Sequence, residues 1–426
     1  MGELLRAPFA AAAVRPTART AEDPAPQPPH HHNQRQRRGW ATEQERLWAL
    51  IWAECPGIGW RRLQRLKHLF GSLAVAWQAT DGQLSHALSG TTALQAAELE
   101  RLAAYRHRLG PEPIGDPLTP ADRQRLQRQR CLLLGDASLP ESLEWLERPP
   151  LQLFWQGQGQ LWPHLREGQA VAVVGTRRPS RHGEATARAV GAALAEAGWP
   201  VVSGLAEGID AAAHRGCLEA QGRPVGVLGT PLERVYPRHH TALQAEVGRR
   251  GLLVSELAPG TPVRAGHFAQ RNRLQVALAK AVVLVECPQR SGALQSAQLA
   301  WDAGLPLWVV PGDASKLSCG GSNRWLAQGA SVLLDPAQLI DSIGAGPLAS
   351  GQGGASGGAC PEQGAGLVQR EAALLAALGA GACLDHLCER LRQRPAQLSE
   401  RLLRLELAGL VRGEPGLWWR PSNPGL

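Results

Sequence analysis

Seven short apolar runs punctuate the middle of the chain: Val171–Gly175, Pro200–Gly204, Pro224–Thr230, Leu252–Glu256, Ala281–Glu286, Pro306–Pro311 and Ala330–Leu334. Most are separated by Ala-rich stretches long enough for a helix and amphipathic at helical spacing. Buried strands that alternate with helices specify a parallel sheet covered on both faces. The expected fold class is therefore α/β. In such sheets ligands sit beyond the carboxyl ends of the strands.

The flanks read differently. From Trp40 to about Leu109 the pattern is helical, which predicts a small helical domain over 40–110. Within it, Cys55-Pro56-Gly57-Ile58-Gly59 leads into Trp60-Arg61-Arg62-Leu63. A Pro-Gly-x-Gly turn between two short helices looks like a helix-hairpin-helix. Its glycines would let backbone amides approach a DNA phosphate, although a purely structural turn fits as well. Residues 111–169 read as an irregular connecting segment with one short strand near Leu151–Trp155. The α/β domain is expected over 170–340, followed by a linker over 341–365 centred on Gly351-Gln352-Gly353-Gly354-Ala355-Ser356-Gly357-Gly358. Helical stretches follow at about 367–379, 384–393 and 395–409, and two short apolar runs then flank Glu414-Pro415-Gly416. Three helices and a hairpin predict a winged-helix-like domain over 366–426. Residues 1–39 are Ala/Pro-rich and then His/Gln/Arg-rich, the composition of a disordered tail.

Composition narrows the function. The formal net charge is +8 over 426 residues, and Lys67, Lys280 and Lys316 are the only lysines among 45 basic residues. Arginine offers a planar fork for phosphate and a flat face for bases. A GC-rich genome yields the same bias, so the total permits a polyanion partner without establishing one. The surplus is uneven: residues 170–340 carry 17 basic and 12 acidic side chains, whereas residues 40–169 balance. No apolar run approaches the length of a membrane span. The eight cysteines include no C-x-x-C pair, which reads as reduced thiols in a cytoplasmic protein and argues against a zinc site. No metal or other cofactor is expected.

The candidate chemistry lies in loops after the strands. Gly175-Thr176-Arg177-Arg178-Pro179-Ser180 follows the first strand and opens a helix, an arrangement that attracts anions. It is not G-x-G-x-x-G, and no acidic ribose ligand follows, so NAD is disfavoured. Ser203-Gly204-Leu205-Ala206-Glu207-Gly208-Ile209-Asp210 follows the second strand, with His214 one turn on. Helix capping would explain Asp210 and core packing would explain His214. Phe268-Ala269-Gln270-Arg271-Asn272-Arg273 reads as a basic loop beside an aromatic ring, the pairing that holds single-stranded DNA by charge and stacking. Arg290-Ser291-Gly292 again places a cation and small residues at a helix start.

Taken in order, these motifs resemble the DNA-processing protein A (DprA/Smf) family of bacterial natural transformation. The matching blocks are Gly175–Ser180, Ser203–Asp210, Val235-Tyr236-Pro237, Ser255-Glu256, Phe268–Arg273 and Arg290–Gly292. The resemblance implies an extended Rossmann-like parallel-sheet domain that binds single-stranded DNA, forms a homodimer and helps to load the RecA recombinase onto incoming strands. It implies a non-enzymatic mediator. Its expected DNA contacts are Arg177, Ser180, Phe268, Arg271, Asn272, Arg273, Arg290, Ser291 and Gly292, with Ser203 and Gly204 shaping the phosphate-binding edge. Thr176, Ala269 and Arg290 depart from the usual Ser, Pro and Lys of the pattern. Two alternatives stand beside this reading. One is a Rossmann-like nucleotide-binding protein or phosphoribohydrolase-type enzyme, whose Pro-Gly-Gly-x-Gly-Thr-x-x-Glu motif is missing near Pro311-Gly312-Asp313. The other is a duplex-binding regulator acting through the C-terminal domain, whose third helix mixes Arg401 and Arg404 with Glu400 and Glu406.

Overall fold

A computed structural model describes residues 40, 42–89, 96–115, 118–122, 130–144, 146–349, 371–379, 381–407, 410–414 and 418–421. The expected tail over 1–39, the glycine-rich centre of the expected linker and Pro415-Gly416 of the expected turn lie outside the described residues.

The seven apolar runs form seven parallel strands: β3 (Val171–Val174), β4 (Val201–Ser203), β5 (Pro224–Leu228), β6 (Leu252–Ser255), β7 (Ala281–Leu284), β8 (Leu307–Val309) and β9 (Ser331–Val332). Valine, leucine and alanine fill β3 and β7 without a polar position, and every residue of both strands is buried. Strands buried on both faces need no alternation. Two further strands, β1 (Cys131–Leu133) and β2 (Gln152–Gly157), add antiparallel at the β6 edge, giving the order β1-β2-β6-β5-β4-β3-β7-β8-β9. The sheet therefore begins well before residue 170. β1 is missed by the sequence reading because its three residues are too short for any periodicity. β2 confirms the short strand near Leu151–Trp155 and extends it to Gly157.

The strand order reverses between β3 and β7, which pair directly (Val171 with Ala281 through Val174 with Leu284). Loops from these two strands leave in opposite directions there, opening a crevice at their carboxyl ends.

Helices complete the layers. In the N-terminal region they are α1 (Glu43–Glu54), α2 (Trp60–Phe70), α3 (Leu73–Gln78), α4 (Asp81–Ser89) and α5 (Ala96–Leu109). Trp52, Trp77 and Tyr105 form its centre, with Trp52 and Trp77 edge to face at 5.1 Å and Trp77 and Tyr105 at 6.3 Å. This helical layer shares its core with Cys131, Leu133 and Phe154 of β1 and β2, and Arg46 holds Asp136 through Nε (3.0 Å) and Nη2 (2.9 Å).

Around the sheet come α6 (Trp162–Arg166), α7 (Arg181–Glu196), α8 (Ile209–Glu219), α9 (Thr241–Arg250), α10 (Ala265–Ala277), α11 (Gly292–Asp302), α12 (Gly320–Ala327) and α13 (Pro336–Ile343). α7 and α8 lie in backbone contact: a Cβ on Gly191 would stand 2.1 Å from the Ala213 carbonyl oxygen, and one on Gly216 would stand 1.9 Å from that of Arg188. α13 and the residues after it reach into the segment expected as linker, where the amides of Gly346 and Leu348 donate to Ala197 (2.7 Å) and Gly198 (3.0 Å).

At the C-terminal end, α14 (Ala372–Leu378), α15 (Leu384–Leu391) and α16 (Pro395–Leu407) enclose Leu374, Leu387, Leu398, Leu402 and Leu405. They pack on a three-stranded sheet ordered β10 (Ala382–Cys383), β12 (Trp418–Pro421), β11 (Val411–Glu414). This is the expected winged helix. It meets the main sheet through Arg130, which lies 3.6 Å from Glu406 and stacks on Trp155 at 5.0 Å. No described helix is long and apolar enough to cross a membrane.

Candidate nucleic-acid interface at the carboxyl edge of the sheet

The loop after β3 is held from below. The Thr176 amide donates to the Glu286 carbonyl at 2.7 Å, so the loops that leave β3 and β7 are tied together across the crevice. Ser180 is the N-cap of α7 and accepts from the Gly183 amide at 3.1 Å. Its own amide and hydroxyl donate to Glu286 Oε2 at 2.9 and 2.8 Å. Ser318 and Lys316 reach the other carboxylate oxygen, Lys316 at 3.3 Å. Burial alone would push the Glu286 carboxyl up, but the bonds from Ser318, Ser180 and Lys316 outweigh it and bring the group below its usual range. A protein carboxylate thus fills the position at the start of α7 where the sequence suggested an anion would bind.

Above this clamp Arg177 is exposed, with its guanidinium 5.3 Å from the centre of the Phe268 ring. Phe268 lies on α10, not on a loop: Phe268–Arg273 is helical, and the basic-loop expectation is corrected. The missing proline at Ala269 removes the usual local signal against helix. The helix comes close because Gly229 has no side chain; a Cβ there would stand 2.7 Å from the Phe268 ring and 3.0 Å from its Cα. The Tyr236 ring also packs on Phe268, at 4.9 Å between ring centres, and it is 49% exposed. Cation, ring and ring form one partly exposed platform. Arg178 and Arg290 are exposed on the β3 and β7 loops that meet at this crevice.

The other predicted residues divide by position. Ser291 caps α11 by accepting from the Ala293 amide (3.2 Å), and Asn272 donates to the Gly292 carbonyl (3.2 Å), joining α10 to the Arg290 loop. Arg273 grips both oxygens of Glu256 at 2.8 and 2.9 Å. Ser203 is fully buried and donates to the Val173 carbonyl at 2.7 Å.

Arg271 is turned inward, which revises its expected place among the surface contacts. It is 4% exposed, donates from Nη1 to the Val227 carbonyl (2.8 Å), and lies 4.0 Å from Asp210. Its guanidinium occupies the space where a side chain on residue 204 would start: a Cβ on Gly204 would stand 1.3 Å from Nη1. Asp210 accepts from the Gly204 amide at 3.1 Å. With its amide turned to accept, Gln275 takes bonds from Gly204 (2.7 Å) and Arg271 (2.9 Å). Burial pulls Arg271 down to about 10 and pushes Asp210 up, while each favours the charge of the other. Next to them Leu205 adopts φ 53, a strained backbone for a branched side chain, while 1% exposed.

His214 is fully buried on α8 and burial pushes it down to about 3, so it is a neutral core residue as the packing alternative held. Sequence reading did not assign a role to Tyr236 or Lys316. The adjoining Val235-Tyr236-Pro237 block was visible, but nothing local places that ring against Phe268, some thirty positions away.

Comparison with known proteins agrees with this geometry. Residues 130–344 match the family model of DNA recombination-mediator protein A, and residues 360–416 match that of the DprA winged helix domain. Protein Smf of Synechocystis is 32% identical over 310 residues, covering 72% of this chain and 75% of its own. The DNA processing protein DprA of Bacillus subtilis is 31% identical over 219 residues, covering 51% of this chain and 73% of its own. The X-ray structure of DNA processing protein A from Streptococcus pneumoniae superposes with a TM-score of 0.54 at 25% identity, over 70% of this chain and 97% of that one. With the central sheet and the C-terminal winged helix both matched in order, this chain belongs to the DNA-processing protein A (DprA/Smf) family.

Proposed function

We propose that the carboxyl edge of the sheet holds single-stranded DNA, and that the protein is a non-enzymatic mediator which protects incoming strands and passes them to the RecA recombinase during transformation. The observation that carries this reading is the platform of Arg177, Phe268 and Tyr236 beside exposed Arg178 and Arg290. Arginines track a phosphate backbone and unstacked bases lie on rings, a combination indifferent to sequence and suited to strands of any origin. Membership of a family described as a recombination mediator supports the same role, and a homodimer in the cytoplasm is part of the proposal. Of the eleven residues assigned from sequence, Arg177, Phe268 and Arg290 are proposed as direct contacts. Ser180, Ser203, Gly204, Arg271, Asn272, Arg273, Ser291 and Gly292 shape and hold the edge.

The enzyme alternative draws no support from the two strand-end carboxylates. Glu286 is engaged by Ser180, Ser318 and Lys316, and Glu256 is gripped by Arg273, so neither is poised as a general base.

The test uses fluorescent oligo(dT) and an abasic strand of the same length. Replacing both rings (Phe268→Ala with Tyr236→Ala) is expected to cost about 1–3 kcal/mol per stacked base on oligo(dT), and to leave the abasic strand bound as before. Equal affinity of variant and wild type for oligo(dT) would overturn the stacking platform.

A further inference from the structure

A second basic surface lies at the opposite end of the main sheet. Arg223 immediately precedes β5, Gln158 and Gln160 follow the antiparallel strand β2, and Arg249 and Arg250 end α9, so all of them gather at the amino ends of the parallel strands. The wing of the C-terminal domain closes over them with Arg412 and Arg420, and together these residues line a cleft of about 590 Å³. No acidic side chain is among the described residues that line it.

The charge is partly balanced from outside the cleft. Glu246 pairs with Arg249 at 2.6 Å and with Arg250 at 3.7 Å, and Arg412 feels the buried Glu406. Arg250 also donates to Gln221 Oε1 at 2.8 Å. Arg223 has no carboxylate partner among the described residues.

The hairpin itself is informative. Arg412 and Arg420 are directly opposed across β11 and β12. Two positions before Arg420 on the same face of β12, Trp418 is 38% exposed. An exposed ring beside opposed arginines repeats the chemistry of the first site on an unrelated fold element.

We propose that this cleft is a second binding site for single-stranded nucleic acid, built jointly by the sheet and the wing, with phosphates among Arg223, Arg249, Arg412 and Arg420 and a base on Trp418. It shares only the ligand class with the carboxyl-edge site and involves none of its residues. A strand held at both ends of the sheet is gripped by two domains at once, which gives the C-terminal unit a part in strand holding without groove reading.

The full chain is titrated with fluorescent oligo(dT) across a salt series as wild type, as Arg223→Glu with Arg412→Glu, and as Arg177→Ala with Arg290→Ala. The cleft variant is expected to bind about tenfold or more weakly, with a salt slope shallower by about 0.7 for each phosphate it no longer neutralises. If the reversal unfolds the wing by circular dichroism, Arg223→Gln with Arg412→Gln reads the same positions. Wild-type affinity and slope in the cleft variant would overturn the proposal. So would a cleft that serves a free anion: tripolyphosphate raising the melting temperature of the wild type and not of the variant, with strand binding unchanged. Weakening confined to the cleft variant would sink the carboxyl-edge reading and leave this one standing, and weakening confined to the edge variant would do the reverse.

Discussion

Arg271 shows how far a residue type can be read without its surroundings. Its motif and charge suggested a phosphate contact, yet its guanidinium is 4% exposed and spent on Val227 and Asp210. The clue available in the sequence was Asp210, whose capping role was the favoured explanation; what pairs the two is the return of the chain sixty residues later. Removing one partner of a buried pair leaves an uncompensated charge. Arg271→Ala is therefore expected to destabilise the protein by about 3–5 kcal/mol in denaturant unfolding. It should act on DNA affinity only through that destabilisation, so that affinity measured on the folded fraction stays close to wild type. A stable variant that binds DNA poorly would show instead that Arg271 meets the strand. By contrast, the exposed placing of Arg177 and Arg290 at the carboxyl edge was legible, because a cation just after a strand, beside glycine or serine, has few structural uses. Tyr236 was not, since its role depends on Phe268 lying 4.9 Å away in space.

At the scale of elements, buried β-branched and aliphatic runs identified all seven parallel strands, because a strand covered on both faces leaves an unbroken apolar stretch. Short pieces escaped: β1 has three residues, and α10 was read as a loop since its arginines and asparagine drew attention to chemistry over periodicity. Helix α8 carries a stability prediction of its own. His214 is buried in its neutral form, with its affinity for protons lowered to about 3 from 6.5. Between those values the unfolded chain binds a proton that the folded one does not, so stability falls as pH drops below 6.5, by about 1.4 kcal/mol for each unit at full effect. Asp210, pushed up by burial, acts in the opposite sense just above its ordinary value. The contribution of the histidine is isolated by comparing wild type with His214→Phe in chemical denaturation from pH 7 to pH 4. The two curves should diverge with the wild type losing more; parallel curves would mean that His214 is protonated in the folded protein.

For the whole molecule, the net charge of +8 gains meaning from where it lies. Part of the surplus of the α/β region faces the crevice between β3 and β7, and part faces the wing at the other end of the sheet. Neither distribution follows from composition. The order of domains was legible because each has its own periodicity. The cleft between sheet and wing was not, because it joins residues nearly two hundred positions apart. Central to the protein's proposed role is single-stranded DNA lying across the carboxyl edge. The most direct measurement is the affinity of the full chain for oligo(dT) strands and for strands of mixed sequence, followed across a salt series, in wild type and in Arg177→Ala with Arg290→Ala. The prediction is weaker binding to all sequences alike and a salt slope shallower by about 1.4, the share of two phosphates on a single strand. Wild-type affinity with an unchanged slope would contradict it.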